Sequence, residues 1–286
     1  MIFDIESNLQ ALKKDGVLVI ENYLDGEMNS KIYNEIHPWL SQISFNSQIS
    51  SSIIGNNQWI EHLGLCSFHA LEVILHPNLI NFAEQYFGEE VSLGSLQFQK
   101  KVFAEHSPIP MHRDYGKGIY FFIYLNTIDC STGATRFVKK SHQIEMSEDS
   151  LRSGETGELY MDQNFMQLHQ KNVIQASGGP GTMLIWDRKT AHDLPAFKNH
   201  GRELIMASLI PKSEDSQIKD HLLRHSFVHK LSAEQRAVIF SRQPSDKINS
   251  LMKLGSERSM LDEYKISKFK MFLYFLRFRL AQIIRK

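Results

Sequence analysis

The 286-residue chain has little cysteine, little proline and no surplus of either charge, and each shortage removes a class of protein. Its two cysteines, Cys66 and Cys130, form no C-x-x-C pair, which excludes a disulfide scaffold and a cysteine-based zinc ribbon and points to a reducing compartment. With only 8 prolines, 42% hydrophobic and 22% charged residues, it is neither disordered nor collagen-like. Lys and Arg (32) balance Asp and Glu (32), so no global field draws the chain to nucleic acid. No uninterrupted apolar run approaches the roughly 18–20 residues of a membrane span. The start, Met1-Ile-Phe-Asp-Ile-Glu-Ser7, carries no secretory pattern. These absences predict a cytoplasmic globular protein with one large core and appendages.

What is present divides by texture. Helical patterns cover residues 5–14, 27–40 and 70–87, with Pro77 opening a new helix inside the last, and residues 17–20 read as a buried strand. Residues 41–57, rich in Ser, Asn, Gln and Gly, read as a long loop. From about Glu90 the chain turns to short apolar runs at 93–103, 119–125, 134–138, 173–174, 182–186 and 204–210. That spacing predicts an antiparallel sandwich or barrel with the preceding helices on one face. Beyond Pro211 the texture is helical and charged, so residues 1–211 read as a core domain and 212–286 as a helical extension. Gly178-Gly-Pro-Gly181 lacks the G-K-[ST] ending of a phosphate loop and reads as a tight turn. Ser141-His142 reads as structural loop, Trp186 as a core anchor, and both cysteines as buried thiols.

Four residues carry the chemistry. In an extended segment, residues i and i+2 share a side, so His112 and Asp114 aim at one point. His192 follows the run at 182–186, and Arg202 precedes the run at 204–210. Two imidazoles and one carboxylate on one face of a metal leave the opposite face open, which suits non-haem Fe(II) oxygen chemistry.

These residues sit in segments that resemble the phytanoyl-CoA dioxygenase family of Fe(II)- and 2-oxoglutarate-dependent oxygenases. The segments are Asp15-Gly-Val-Leu-Val-Ile-Glu21, Pro110-Met-His-Arg-Asp114, Thr132-Gly-Ala-Thr-Arg-Phe-Val-Lys-Lys-Ser-His142 and Gly181-Thr-Met-Leu-Ile-Trp-Asp187, followed by His192 and Arg202. The resemblance implies a mainly β fold with flanking helices around a double-stranded β-helix, a jelly-roll barrel. It also implies that His112, Asp114 and His192 bind Fe(II), and that Arg202 pairs with the distal carboxylate of 2-oxoglutarate. A planar guanidinium can hold a carboxylate by two parallel hydrogen bonds, which Lys cannot reproduce. Strand alternation puts Gln97 and Gln99 on one face and Phe98 and Lys100 on the other, and Gln99 is the expected further co-substrate contact. The implied reaction consumes O2 and 2-oxoglutarate, releases succinate and CO2, and hydroxylates a C–H bond. Related halogenases lack the carboxylate ligand, so Asp114 favours hydroxylation. A non-catalytic metal-binding jelly roll and a zinc-dependent hydrolase are the competing readings.

The substrate is not written in the sequence, beyond a small molecule, a lipid or a lipid-linked sugar. The tail from Lys265 to Lys286 carries seven basic and no acidic residues, with Phe269, Phe272, Leu273, Leu276, Leu280, Ile283 and Ile284 on one helical stripe. Such a stripe suits two covers. One is the protein's own helices or a sister subunit in an oligomer; the other is an anionic membrane surface in peripheral contact with residues 265–286.

Overall fold

The structure, a computed structural model, describes residues 3–40, 57–60, 63–101, 108–145, 151–153, 158–161, 163–197, 201–217 and 225–240. The tail at 265–286 and nearly all of the 41–57 loop lie outside them.

Local chemistry sets the helices at the N-terminal end. The first, α1 (Ile5–Asp15), starts where the Asp4 carboxylate accepts from the Ser7 amide at 3.1 Å, and it stops at Gly16, whose φ of 77° is the left-handed turn that glycine adopts without strain. After β1 (Val17–Ile20) come α2 (Gly26–Leu40), β2 (Asn57–Ile60), α3 (Phe68–Ile74) and α4 (Pro77–Phe87). Pro77 opens α4 as expected, because the first turn of a helix needs no amide donor there.

Ten further strands follow among the described residues: β3 (Val91–Lys101), β4 (Ile109–Asp114), β5 (Ile119–Tyr124), β6 (Arg136–Val138), β7 (Leu151–Ser153), β8 (Glu158–Met161), β9 (Val173–Gln175), β10 (Met183–Asp187), β11 (His192–Leu194) and β12 (Glu203–Pro211). A short helix, α5 (Gln163–Leu168), separates β8 from β9. The strands form two six-stranded antiparallel sheets, ordered β1-β10-β5-β12-β3-β2 and β7-β8-β4-β11-β6-β9. The first and last barrel strands pair, β3 with β12, and inside them β4 pairs with β11 and β5 with β10 and β12. This nesting is a jelly roll, the fold that the family resemblance implied, and it falls within the antiparallel sandwich or barrel expected from the strand spacing.

Alternation gives the first sheet two apolar faces. Ile119, Phe121, Ile123, Met183, Ile185, Ile205, Ala207 and Leu209 point outward into a core shared with Leu12, Ile32, Leu71 and Phe82 of the helices. Phe122, Tyr124, Leu184, Trp186 and Leu204 point inward, against Phe137 of the other sheet. Phe227, Leu231, Val238 and Ile239, in or beside α6 (His225–Val228) and α7 (Ala233–Phe240), join the outer core. The helices therefore close one sheet's back, and the space between the sheets holds a second apolar cluster together with buried polar side chains such as Gln99, His112, His192 and Arg202.

One expectation needs adjustment. Cys66 is buried, but Cys130 is exposed, because it sits in the turn that the Asp129 carboxylate organises through Ser131 and Thr132. His192 follows β10, as expected, and also opens the three-residue β11, which the sequence did not show. Gly178–Gly181 is a turn, as expected: the Thr182 amide donates to Gly179 O, and Gly181 has φ 84°.

Candidate active site

His112 and Asp114 leave β4 on its inner side, and His192 sits directly opposite His112 in the register of β11. Their ligand atoms all fall within 4.8 Å of one another. His192 Nε2 stands 3.6 Å and His112 Nε2 3.9 Å from the Asp114 carboxylate, too far to be hydrogen bonds and close enough to share one ion.

Each imidazole is aimed by the backbone two residues before it. His112 Nδ1 donates to Pro110 O at 2.7 Å, and His192 Nδ1 donates to Thr190 O at 2.9 Å. A carbonyl can only accept, so the proton is fixed on Nδ1 and Nε2 presents its lone pair inward. Burial, with the His112 side chain opposing a second positive charge, pushes His192 down to about 4 against the pull of Asp114, so it is neutral and ready to ligate. Phe137 stacks on His192 at 5.7 Å, and Trp186 meets it edge-on at 5.8 Å.

The strands behind the triad are tied together. Between His112 and Asp114 on β4, Arg113 points the other way, donating Nη1 to Ile144 O at 3.0 Å and Nη2 to Ser141 O. Ser141 Oγ in turn accepts from the amide of Ala191, the residue before His192, at 2.7 Å. The Ser141-His142 segment is thus structural, and what it holds is the approach to the third member of the triad. Arg136 forks onto Asp193, the residue after it.

Arg202, 4% exposed, lies at the far end of the same interior. Its Nη1 donates to Thr135 Oγ1 at 2.9 Å and to Gly133 O at 3.3 Å, and its Nη2 to Gln99 Oε1 at 3.0 Å. Its Nε is enclosed without an acceptor, and no carboxylate among the described residues pairs with it. Burial pushes this guanidinium down to about 10, still protonated at neutral pH. A buried cation whose partners are all neutral is suited to receive an anion. Asn126 fixes the approach, donating to Gly201 O and accepting from the Glu203 amide at 3.0 and 2.9 Å.

Sequence reasoning placed five residues here, and the structure brings them into two groups: His112, Asp114 and His192 in one, Arg202 and Gln99 in the other. It missed Thr135, Asn126 and Lys101. Lys101 is 1% exposed and sits where β3 meets the Arg202 backbone. Burial first, then the positive charge of Arg202, pushes it down to about 7. Its signal was present as Gln97, Gln99 and Lys101 at every second position of one strand.

The donor set suits iron: two neutral imidazoles and one carboxylate, clustered on one side, with a buried cation further along the same interior. Residues 12–202 match the family model described as Phytanoyl-CoA dioxygenase (PhyH). Solved structures with a similar fold include the epimerase SnoN in complex with Fe3+, alpha ketoglutarate and nogalamycin RO, at 16% identity and TM-score 0.58 over 72% of this chain and 83% of that one. Another is EctD from S. alaskensis with 2-oxoglutarate and 5-hydroxyectoine, at 14% identity and TM-score 0.59 over 73% of this chain and 76% of that one. No curated protein sequence matches the chain. With about two thirds of its length matched and a His-Asp-His cluster formed inside a jelly roll, the chain belongs to the phytanoyl-CoA dioxygenase family of Fe(II)- and 2-oxoglutarate-dependent oxygenases.

Proposed function

We propose that the protein hydroxylates an unactivated C–H bond of a small molecule, a lipid or a lipid-linked sugar, with His112, Asp114 and His192 holding Fe(II). The observation that carries this is the convergence of two Nδ1-anchored imidazoles on one carboxylate, with a buried arginine that has no carboxylate partner further along the same interior. Bound there, Fe(II) supplies the oxidation that O2 and 2-oxoglutarate drive, with succinate and CO2 as products.

The chain's own groups orient the co-substrate. Arg202 takes the distal carboxylate of 2-oxoglutarate, held in place by Thr135 and Gln99, and Lys101, pushed down to about 7, lies beside it. Asn126 keeps Arg202 in register by bonding the backbone on both sides of it, at Gly201 and at Glu203. Asp114 occupies the third ligand position with an oxygen, which supports hydroxylation over halide transfer. Residues 1–211 form the catalytic unit in this reading, and 212–286 an extension whose tail contacts either the protein itself, a second copy or a cytoplasmic membrane face. No helix among the described residues is long and apolar enough to cross a membrane.

The test is conversion of 2-oxoglutarate to succinate by the purified full chain. The expected result is turnover that requires both Fe(II) and O2 and disappears in His192→Ala. Hydrolytic turnover of an ester with zinc, or succinate formation unchanged in His192→Ala, would overturn the proposal.

A further inference from the structure

A second arginine enters the interior from the opposite end. On β10, Leu184 and Trp186 face the space between the sheets, while Asp187 faces the helices and accepts from Tyr86 of α4 at 2.7 Å. The next residue, Arg188, therefore turns inward. Its guanidinium lies 4.8 Å over the Tyr120 ring, and its Nη2 reaches Ser208 Oγ at 3.4 Å. Its own backbone is bound to the strand that carries His112 and Asp114, because the Asp114 amide donates to Arg188 O at 3.1 Å.

Three features describe the surroundings of this cation. First, a Cβ on Gly118 would stand 2.7 Å from Arg188 Nε and 2.8 Å from its Cδ, so only glycine leaves room for the side chain to lie there. Second, Arg188 Nε is enclosed without an acceptor, and no carboxylate among the described residues pairs with this arginine. Arg136, in contrast, spends its fork on Asp193, and Arg113, whose Nε is enclosed in the same way, gives both terminal nitrogens to carbonyls. Third, the surroundings offer further hydrogen bonds without negative charge. Ser95 Oγ and Ser208 Oγ lie 2.9 Å apart on neighbouring strands, and Gln97 Oε1, one step along β3, is enclosed with no donor.

Strand register places the two arginines at opposite ends of the first sheet, because Asp187 pairs with Ile119 at one end of β5 and Leu204 with Tyr124 at the other. Asp114 ends β4 and His192 begins β11, at the same end of the barrel as the turn carrying Arg188. Arg202 lies after β11 and just before β12, at the other end. 2-Oxoglutarate, in the function proposed above, spans from the triad to Arg202 and does not engage Arg188.

We propose that Arg188, with Ser208 and Ser95, receives an anionic group of the molecule to be oxidised, so that the substrate is an acid, either a carboxylate or a phosphate monoester. The aromatic face of Tyr120 holds the guanidinium in position before the acid arrives. This inference rests on the oxygenase reading for the identity of the second ligand, though binding of an acid at Arg188 can be read without turnover.

The experiment uses the full-length protein and a panel of carboxylates and phosphate monoesters, each matched with its neutral methyl ester or alcohol. Thermal stabilisation of the metal-free protein reports binding, and succinate release by the Fe(II)-loaded protein reports coupling. The expected result is that stabilising compounds are acids, with either carboxylates or phosphates preferred. Arg188→Gln raises their half-saturating concentration roughly tenfold or more, while 2-oxoglutarate still binds at unchanged concentration. Arg188→Lys, which keeps the charge and loses the fork, falls between the two and decides the matter if Arg188→Gln does not fold. Neutral partners that bind as well as the acids, an Arg188→Gln protein that responds like the parent, or a panel in which no acid binds would each overturn the inference. Acid binding that depends on Arg188 without any succinate release would instead overturn the oxygenase reading and leave the anion site standing.

Discussion

A buried histidine serves a metal only if one nitrogen is free of its proton, and a buried arginine serves an anion only if nothing else has taken its charge. His112 and His192 meet the first condition through Pro110 O and Thr190 O, and Arg202 meets the second through its neutral partners Thr135 and Gln99. Arg202→Lys is therefore expected to weaken 2-oxoglutarate binding roughly tenfold to a hundredfold, read by titration of the Fe(II)-loaded protein without O2. Lys101 gives a pH signature to stability. Its folded value of about 7 lies below its ordinary 10.5, so between those limits the unfolded chain holds a proton that the folded chain lacks. Stability from this group then rises with pH through that window and is lowest below 7, where the ammonium is buried. Lys101→Met should raise stability in denaturant titrations more at about pH 6 than at about pH 9; an equal gain at both would show that Lys101 titrates normally. The pair His112-x-Asp114 was legible in the sequence because two-residue alternation is a local rule. Lys101 obeys the same rule, but its importance lies in having Arg202 beside it, from another strand far along the chain.

At the scale of elements, the strands that carry the triad are fastened from behind. Ser141 Oγ accepts from the Ala191 amide and Ser141 O from Arg113, so one short turn joins β4 to β11. Ser141→Ala leaves the Ala191 amide buried without a partner, and an unfolding titration should show a loss of about 1–3 kcal/mol with weaker metal binding. Gly181 is a second fastening. Its φ is 84°, and a Cβ there would lie 2.3 Å from Leu24 O. Gly181→Ala therefore combines a left-handed strain of roughly 1–2 kcal/mol with a backbone clash. A lowered melting midpoint with the site otherwise intact is the expected outcome. Long strands such as β3 and β12 were legible from their apolar runs, whereas β11 has three residues and is too short to show any period. Cys130 escapes a reading by residue type for a related reason: a thiol suggests burial, and the Asp129 turn that exposes it is set by hydrogen bonds.

For the whole molecule, the barrel separates two duties. The outer face of the first sheet packs on the helices and supplies the bulk of the apolar core, so the interior can hold charged and polar groups. An antiparallel sandwich or barrel was legible because the strand spacing and the helical lead-in are patterns of the chain itself; the jelly roll was reached through the family resemblance, and the pairing of β3 with β12, which follows from three-dimensional closure, was not read from the sequence. The central claim is that the triad and Arg202 form one Fe(II)- and 2-oxoglutarate-binding unit. The most direct measurement is an anaerobic titration of the metal-free protein with Fe(II) and then 2-oxoglutarate, following the weak visible absorption of a metal-chelated 2-oxo acid. The band should appear in the parent, vanish in Asp114→Ala and require far more 2-oxoglutarate in Arg202→Ala. Iron binding with no band in the parent, or a band unchanged in both variants, would contradict the account.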